Sequence, residues 1–212
     1  MMTSTIGHTA SELLAVMSAR LLRNGQVVFA GVGIPLLAAT LAQRLHAPGL
    51  TILFEGGVIG AFIEPGKLPP STNEQRCTRR ANMVLGSTEV LLLLQRGYVD
   101  VGFMGGAQID QYGNLNSSFI GDPQHPATRL PGTGGGNDIA SLTQMIVAMK
   151  HEKRRFVDRV DSSPAPAFSP AATAAARPGS SSAACTGSSP ISAFSASRNA
   201  QSVCGSRHCT QV

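Results

Sequence analysis

Short apolar runs that stop abruptly at glycine, with stretches of helical periodicity between them, restrict the fold of this chain more than any other feature. Residues 26–30 run into Gly31-Val32-Gly33-Ile34-Pro35, residues 50–54 into Glu55-Gly56-Gly57, and residues 99–104 into Gly105-Gly106. Runs of this length, rich in β-branched and aromatic side chains, suit buried strands. Thr9 with Glu12 three residues on has the form of a capping box, Leu14, Met17 and Leu21 follow at helical spacing, and Gly25 suits a helix end. Pro35 fits the opening of a helix over residues 36–45, which Pro48-Gly49 stops. Ser87 is placed to cap a helix reaching Gly97, and Asp138 to cap one reaching about Lys150. The basic end of that last helix (Lys150, His151, Lys153, Arg154, Arg155) would complement its dipole. Residues 62–82, with several prolines and many polar groups, show no clear period. Strands alternating with helices predict an α/β fold of three layers, an open and mostly parallel sheet covered on both faces.

This pattern ends at Asp161. Residues 162–212 are dominated by Ser, Ala and Pro and contain no Leu, so the chain divides into a domain over residues 1–161 and a tail expected to be disordered. The tail also carries much of the charge imbalance. The whole chain has 17 Lys and Arg against 12 Asp and Glu, a net charge of +5. Removing Arg177, Arg198 and Arg207 leaves 17 − 3 = 14 basic against 12 acidic residues, or +2. No helix-turn-helix or zinc-finger spacing accompanies the charge, and Trp is absent, so no nucleic-acid partner is expected. The longest apolar run, Val90-Leu91-Leu92-Leu93-Leu94, is far short of the roughly 20 residues of a membrane span. The N-terminus lacks the basic and apolar regions of a secretory signal, and a cytoplasmic location is expected. Cys204, His208 and Cys209 lack the paired spacing of a zinc site, and no metal is expected.

Chemistry concentrates at the glycine turns. In a parallel sheet, ligands lie beyond the carboxyl ends of the strands, and Glu55 occupies that place. A carboxylate there would be held on a rigid strand end, with Gly56 and Gly57 leaving open space beside it; a solvated loop glutamate gives the same pattern. The run Pro131-Gly132-Thr133-Gly134-Gly135-Gly136-Asn137-Asp138 can present backbone N–H groups to an anion or a developing oxyanion, or be no more than a turn. It does not match the phosphate loop GxxxxGK[ST]. Gly31-x-Gly33 lacks the third glycine of a dinucleotide fingerprint, since position 36 is Leu36. His151-Glu152 does not complete HExxH, since position 155 is Arg155.

Taken in order, several runs resemble family I CoA-transferases, in particular the β-type (B) subunits of the glutaconate enzymes. They are Asn24-Gly25-Gln26-Val27-Val28, Gly31-Val32-Gly33-Ile34-Pro35, and Gly105-Gly106-Ala107-Gln108-Ile109-Asp110 with its continuation to Ser117. Ile120-Gly121-Asp122, His125-Pro126-Ala127-Thr128-Arg129, the glycine loop over 132–137, and His151-Glu152-Lys153-Arg154-Arg155-Phe156 complete the set. The resemblance implies that Glu55 is the catalytic glutamate. It would form first a mixed anhydride and then a glutamyl-CoA thioester. Gly31, Gly33, Gly56, Gly134, Gly135, Gly136 and Asn137 are then candidates to bind CoA or an oxyanion. It further implies an α-subunit partner in an αβ or (αβ)2 assembly, coenzyme A thioesters as substrates and no tightly bound cofactor. Relatives carry Glu-Ser-Gly or Ser-Glu-Asn-Gly turns; Phe54-Glu55-Gly56-Gly57 keeps the carboxylate and changes its neighbours. Glutaconate, another dicarboxylate and a 3-oxo acid are all compatible as the acid. Family relatives continue in ordered sequence beyond Asp161. A domain incomplete at its C-terminus, through a shifted reading frame, would account for the tail. An acyl-CoA or ring-opening hydrolase and a non-catalytic partner-binding subunit are the alternative functions.

Overall fold

The computed structural model of the chain describes residues 7–162 and, by backbone alone, residues 202–205 and 208–210. In chain order the elements are α1 (Ala10–Arg20), β1 (Val27–Phe29), α2 (Ile34–Leu45), β2 (Thr51–Leu53), β3 (Val58–Ile59), β4 (Met83–Val84), α3 (Ser87–Gln95) and β5 (Val101–Met104). Then follow β6 (Gln108–Ile109), β7 (Leu115–Asn116), β8 (Phe119–Gly121), β9 (Pro126–Arg129), α4 (Gly136–Leu142) and β10 (Gln144–Met149), with β11 (Ser202–Gly205) and β12 (His208–Thr210) beyond. The main sheet has the order β12-β11-β10-β5-β1-β2-β3-β4. Its centre, β10-β5-β1-β2, is parallel, and its outer pairs are antiparallel.

Alternation along the strands sorts side chains between two cores, because successive residues of a strand face opposite sides. Val28, Ile52, Phe54, Phe103 and Ile146 pack with Leu14, Leu36 and Ala39 from α1 and α2. Phe29, Leu53, Met104, Met145 and Val147 pack with Val90 and Leu94 of α3 and Ile139 of α4. The result is the expected three-layer α/β arrangement, with helices on both faces. Each fully buried aliphatic or aromatic side chain in these cores contributes roughly 1.5–3 kcal/mol. The α1 capping box forms as read: the Glu12 N–H donates to Thr9 Oγ1, and the Thr9 N–H donates to Glu12 Oε2 at 2.7 Å.

The predicted helix from Asp138 to Lys150 is corrected. Only α4 is helical there, and Gly135 is its cap, with Asp138 in the first turn. The Thr143 backbone is extended (φ −125°, ψ 168°), which ends the helix, and its hydroxyl donates to Ile139 O at 2.7 Å. The following residues pair with β5, Gln144 opposite Val101 through Val147 opposite Met104. Two β-branched residues in succession, Ile146 and Val147, enter the two opposite cores there, the alternation of a strand. The basic residues after it therefore follow a strand, and Lys153–Arg155 form a 3-10 turn, so they complement no helix dipole. Ser87 is likewise the first residue of α3 and not its cap, which is Gly86. Of the tail expected to be disordered, most lies outside the described residues; the β11 and β12 backbones extend the sheet beside β10, pairing that the tail's composition does not predict.

Candidate active site

β1 connects through α2 to β2 on one side, whereas β5 connects through α4 to β10 on the other. Connections that diverge in this way open a crevice at the carboxyl ends of β1 and β5, where parallel α/β sheets bind ligands. Gly31 and Gly33 follow β1, Glu55 follows β2, and Gly105 and Gly106 follow β5, all along this edge.

Glu55 stands at the tip of the tight hairpin between β2 and β3. The Phe54 N–H donates to Val58 O at 2.9 Å, and the Gly57 N–H donates back to Phe54 O at 3.0 Å. The side chain of Glu55 is exposed. The open space expected at its two glycines is not found. A Cβ on Gly56 would overlap Asn73 Oδ1 and come within 3.1 Å of Thr72 O. Gly57 has φ +104°, and a Cβ there would overlap the Leu85 carbonyl. These glycines let two backbone segments close around the turn, which fixes the position of Glu55.

The glycine loop comes to the same point from far along the chain. A Cβ on Gly134 would lie 3.6 Å from Glu55 Oε1 and 3.8 Å from Oε2, and one on Gly135 would lie 4.0 Å from Oε1. Gly134 itself has φ +51°, in the left-handed region that favours glycine. Two candidates singled out separately in the sequence thus meet in space. The rest divide. Gly136 is buried, its N–H donates to Thr133 O at 2.8 Å, and a Cβ there would lie 2.6 Å from Met104 Cε, so its donor is already engaged. Asn137 is exposed in the first turn of α4. Gly31 and Gly33 have nothing within 4 Å of an added Cβ and are the glycines that leave open space at this edge. Asn73, Thr72 and Leu85, which wall the turn, and Leu91, which lies 3.2 Å from a Cβ on Gly135, are neighbours that sequence reading missed. The first two fall in the stretch without a period, and the leucines read as ordinary helix-flanking and helix residues.

Fold and site together define a three-layer α/β protein that presents one carboxylate, flanked by a glycine loop, at the carboxyl edge of a parallel sheet. The chain belongs to the coenzyme A transferase family, whose sequence pattern matches residues 11–177. It is 38% identical over 165 residues to the B subunit of glutaconate CoA-transferase from Acidaminococcus fermentans, covering 76% of this chain and 61% of that one. It is 39% identical over 155 residues to the B subunit of 3-oxoadipate CoA-transferase from Pseudomonas knackmussii, covering 72% of this chain and 59% of that one. The crystal structure of glutaconate coenzyme A-transferase from A. fermentans superposes with a TM-score of 0.70 at 37% identity, over 76% of this chain and 63% of that one. The chain therefore spans about three fifths of the length of these relatives.

Proposed function

We propose that this chain is the β-type subunit of an acyl-CoA:carboxylate CoA-transferase of the glutaconate type, with Glu55 as its covalent catalyst. The observation that carries this reading is the approach of Gly134 and Gly135 to the exposed Glu55 carboxylate at the sheet's carboxyl edge. Similarity to the B subunits of two such enzymes supports the placement and supports a separate α subunit as partner. Glu55 is exposed, and the clefts lined by Phe62, Glu64 and Arg79 and by Leu37, Leu41 and Arg44 do not include it. A partner surface over the edge would complete the pocket and exclude water.

In the proposed reaction a Glu55 oxygen attacks the thioester carbonyl of an acyl-CoA. The C–S bond breaks, CoA leaves as thiolate, and a mixed anhydride remains on Glu55. The thiolate then attacks the Glu55 carbonyl, releasing the first acid as its carboxylate and leaving a glutamyl-CoA thioester. A second carboxylate reverses both steps and leaves as the new acyl-CoA. Each step passes through a tetrahedral oxyanion, for which one well-placed donor is worth roughly 3 kcal/mol. The N–H groups of Gly134 and Gly135 are our candidates for that donation, and the engaged N–H of Gly136 is not. A dicarboxylic acid is the proposed substrate class, from the similarity to the glutaconate and 3-oxoadipate enzymes.

The test is mass spectrometry of the chain co-expressed with an α subunit and incubated with acyl-CoAs without acceptor. A CoA adduct on the Glu55 peptide, absent in Glu55→Ala, is the expected result. Release of CoA without an adduct would indicate hydrolysis, and no adduct with no turnover from a folded complex would reject the catalytic reading.

A further inference from the structure

Asp161 lies far from Glu55 in sequence, yet it anchors a hydrogen-bonded path that leads to the glycine loop. Its Oδ2 accepts from Gln108 Nε2 and from the Gly121 N–H, both at 2.9 Å. Its own N–H donates to Gln108 Oε1 at 3.1 Å, and the same oxygen accepts from Asn116 Nδ2 at 2.7 Å. Asn116 Nδ2 also donates to Phe119 O at 2.6 Å, while Asn116 Oδ1 accepts from the Ser118 N–H at 2.9 Å. From there the ladder continues: the Leu130 N–H donates to Ser118 O and the Gly132 N–H to Ser117 O, each at 2.9 Å. Gly134, beside the Glu55 carboxylate, is two residues further on.

The two amides in the middle of this path are buried, Asn116 wholly and Gln108 to 6% exposure. A buried amide whose oxygen and nitrogen are both engaged has one orientation, so each of its partners is held in register with the others. Gln108 and Asn116 face each other across the β6–β7 ladder, and β8 and β9 form the arm that carries the chain to the loop. Asp161, which is exposed, closes the path from outside, gripping both the Gln108 side chain and the Gly121 backbone.

We propose that Asp161 is a positioning residue for the site: through Gln108 and Asn116 it holds the β8–β9 arm in the register that keeps Gly134 beside Glu55. This rests on the reading of Glu55 as the catalytic group. The chemistry is sensitive to such placement, since a shift of about 1 Å in a donor can cost on the order of 100-fold in rate.

The experiment compares Asp161→Ala and Asp161→Asn in the full chain with its α subunit. It reads kcat, KM for the acyl-CoA, and amide hydrogen exchange in a peptide spanning residues 130–138. Asp161→Asn keeps an oxygen that accepts from both Gln108 and Gly121, and is expected to behave as the unaltered protein. Asp161→Ala is expected to lower kcat by on the order of 10- to 100-fold with KM within about twofold, and to speed exchange in the 130–138 peptide. If Asp161→Ala proves insoluble, Asp161→Ser, whose hydroxyl is too short to reach both donors, takes its place. Equal behaviour of the Ala and Asn variants, or faster exchange that stops short of residue 130, would overturn the proposal. Should the unaltered complex transfer no CoA, the reading of Glu55 fails on its own, and the exchange data still decide whether Asp161 holds the loop.

Discussion

Glu55 projects from a turn whose glycines are required by close packing and backbone conformation. Gly57, at φ +104° with the Leu85 carbonyl against its open side, admits no side chain. Gly57→Ala is expected to lower stability by roughly 2–5 kcal/mol, combining backbone strain with overpacking. The check is a lower denaturant midpoint at an unchanged slope. Gly31→Ala is the matching control. An added Cβ there meets nothing within 4 Å, so stability should stay within about 0.5 kcal/mol. Glu55→Gln alters an exposed side chain and should leave the melting temperature unchanged, while steady-state assays show CoA transfer reduced by on the order of 10^4-fold or more.

At the scale of elements, α4 shows how a neighbouring strand sets a helix. A Cβ on Gly102 in β5 would overlap Ile139 Cγ2 and lie 2.7 Å from Thr143 Oγ1. The helix rests directly on the strand there, and its first turn carries the glycine loop to Glu55. Gly102→Ala is expected to cost roughly 1–3 kcal/mol and, by tilting α4, to reduce transfer activity as well. Paired unfolding and activity measurements would separate this from Thr9→Ala. That substitution removes the α1 cap at a cost of about 1 kcal/mol and leaves activity per folded molecule intact.

Across the whole molecule, three surface carboxylates tie stability to pH. The Thr9 backbone N–H, followed by its hydroxyl, holds Glu12 below the ordinary value of 4.5. Lys67 does the same for Glu64, and Arg154, followed by Arg155, for Glu152. Groups whose folded pKa is lowered contribute fully above their unfolded value and lose the contribution as pH falls through the folded one. Stability should therefore decline with acid from about pH 4.5 downward, by small amounts because all three groups are solvated. Urea midpoints at about pH 7 and pH 3.5 test this: the unaltered chain should lose more between them than Glu152→Gln. An added α subunit that covers the Glu55 edge should raise the melting temperature in proportion to the logarithm of its concentration over Kd, by mass action.

The sequence by itself determined the strands β1, β2 and β5, the capping box of α1 and the three-layer α/β class, because each rests on local chemistry: a short apolar run, a side-chain cap, a glycine at a sharp turn. It also singled out Glu55 and Gly134, each from its own surroundings. Tertiary structure alone decided that they meet, since their approach depends on strand order and on the β8–β9 arm between them. It decided too that residues 144–149 form a strand, where pairing with β5 outweighs a pattern equally compatible with a helix. Gly56 and Gly57 read as open space and proved to be closely packed, because Asn73 arrives from a segment without periodicity and Leu85 from the flank of a helix, where nothing local marks a contact with the turn. The role we assign to Asp161 was beyond a sequence reading for the same reason: hydrogen-bond partners 53 and 40 residues away leave no local pattern.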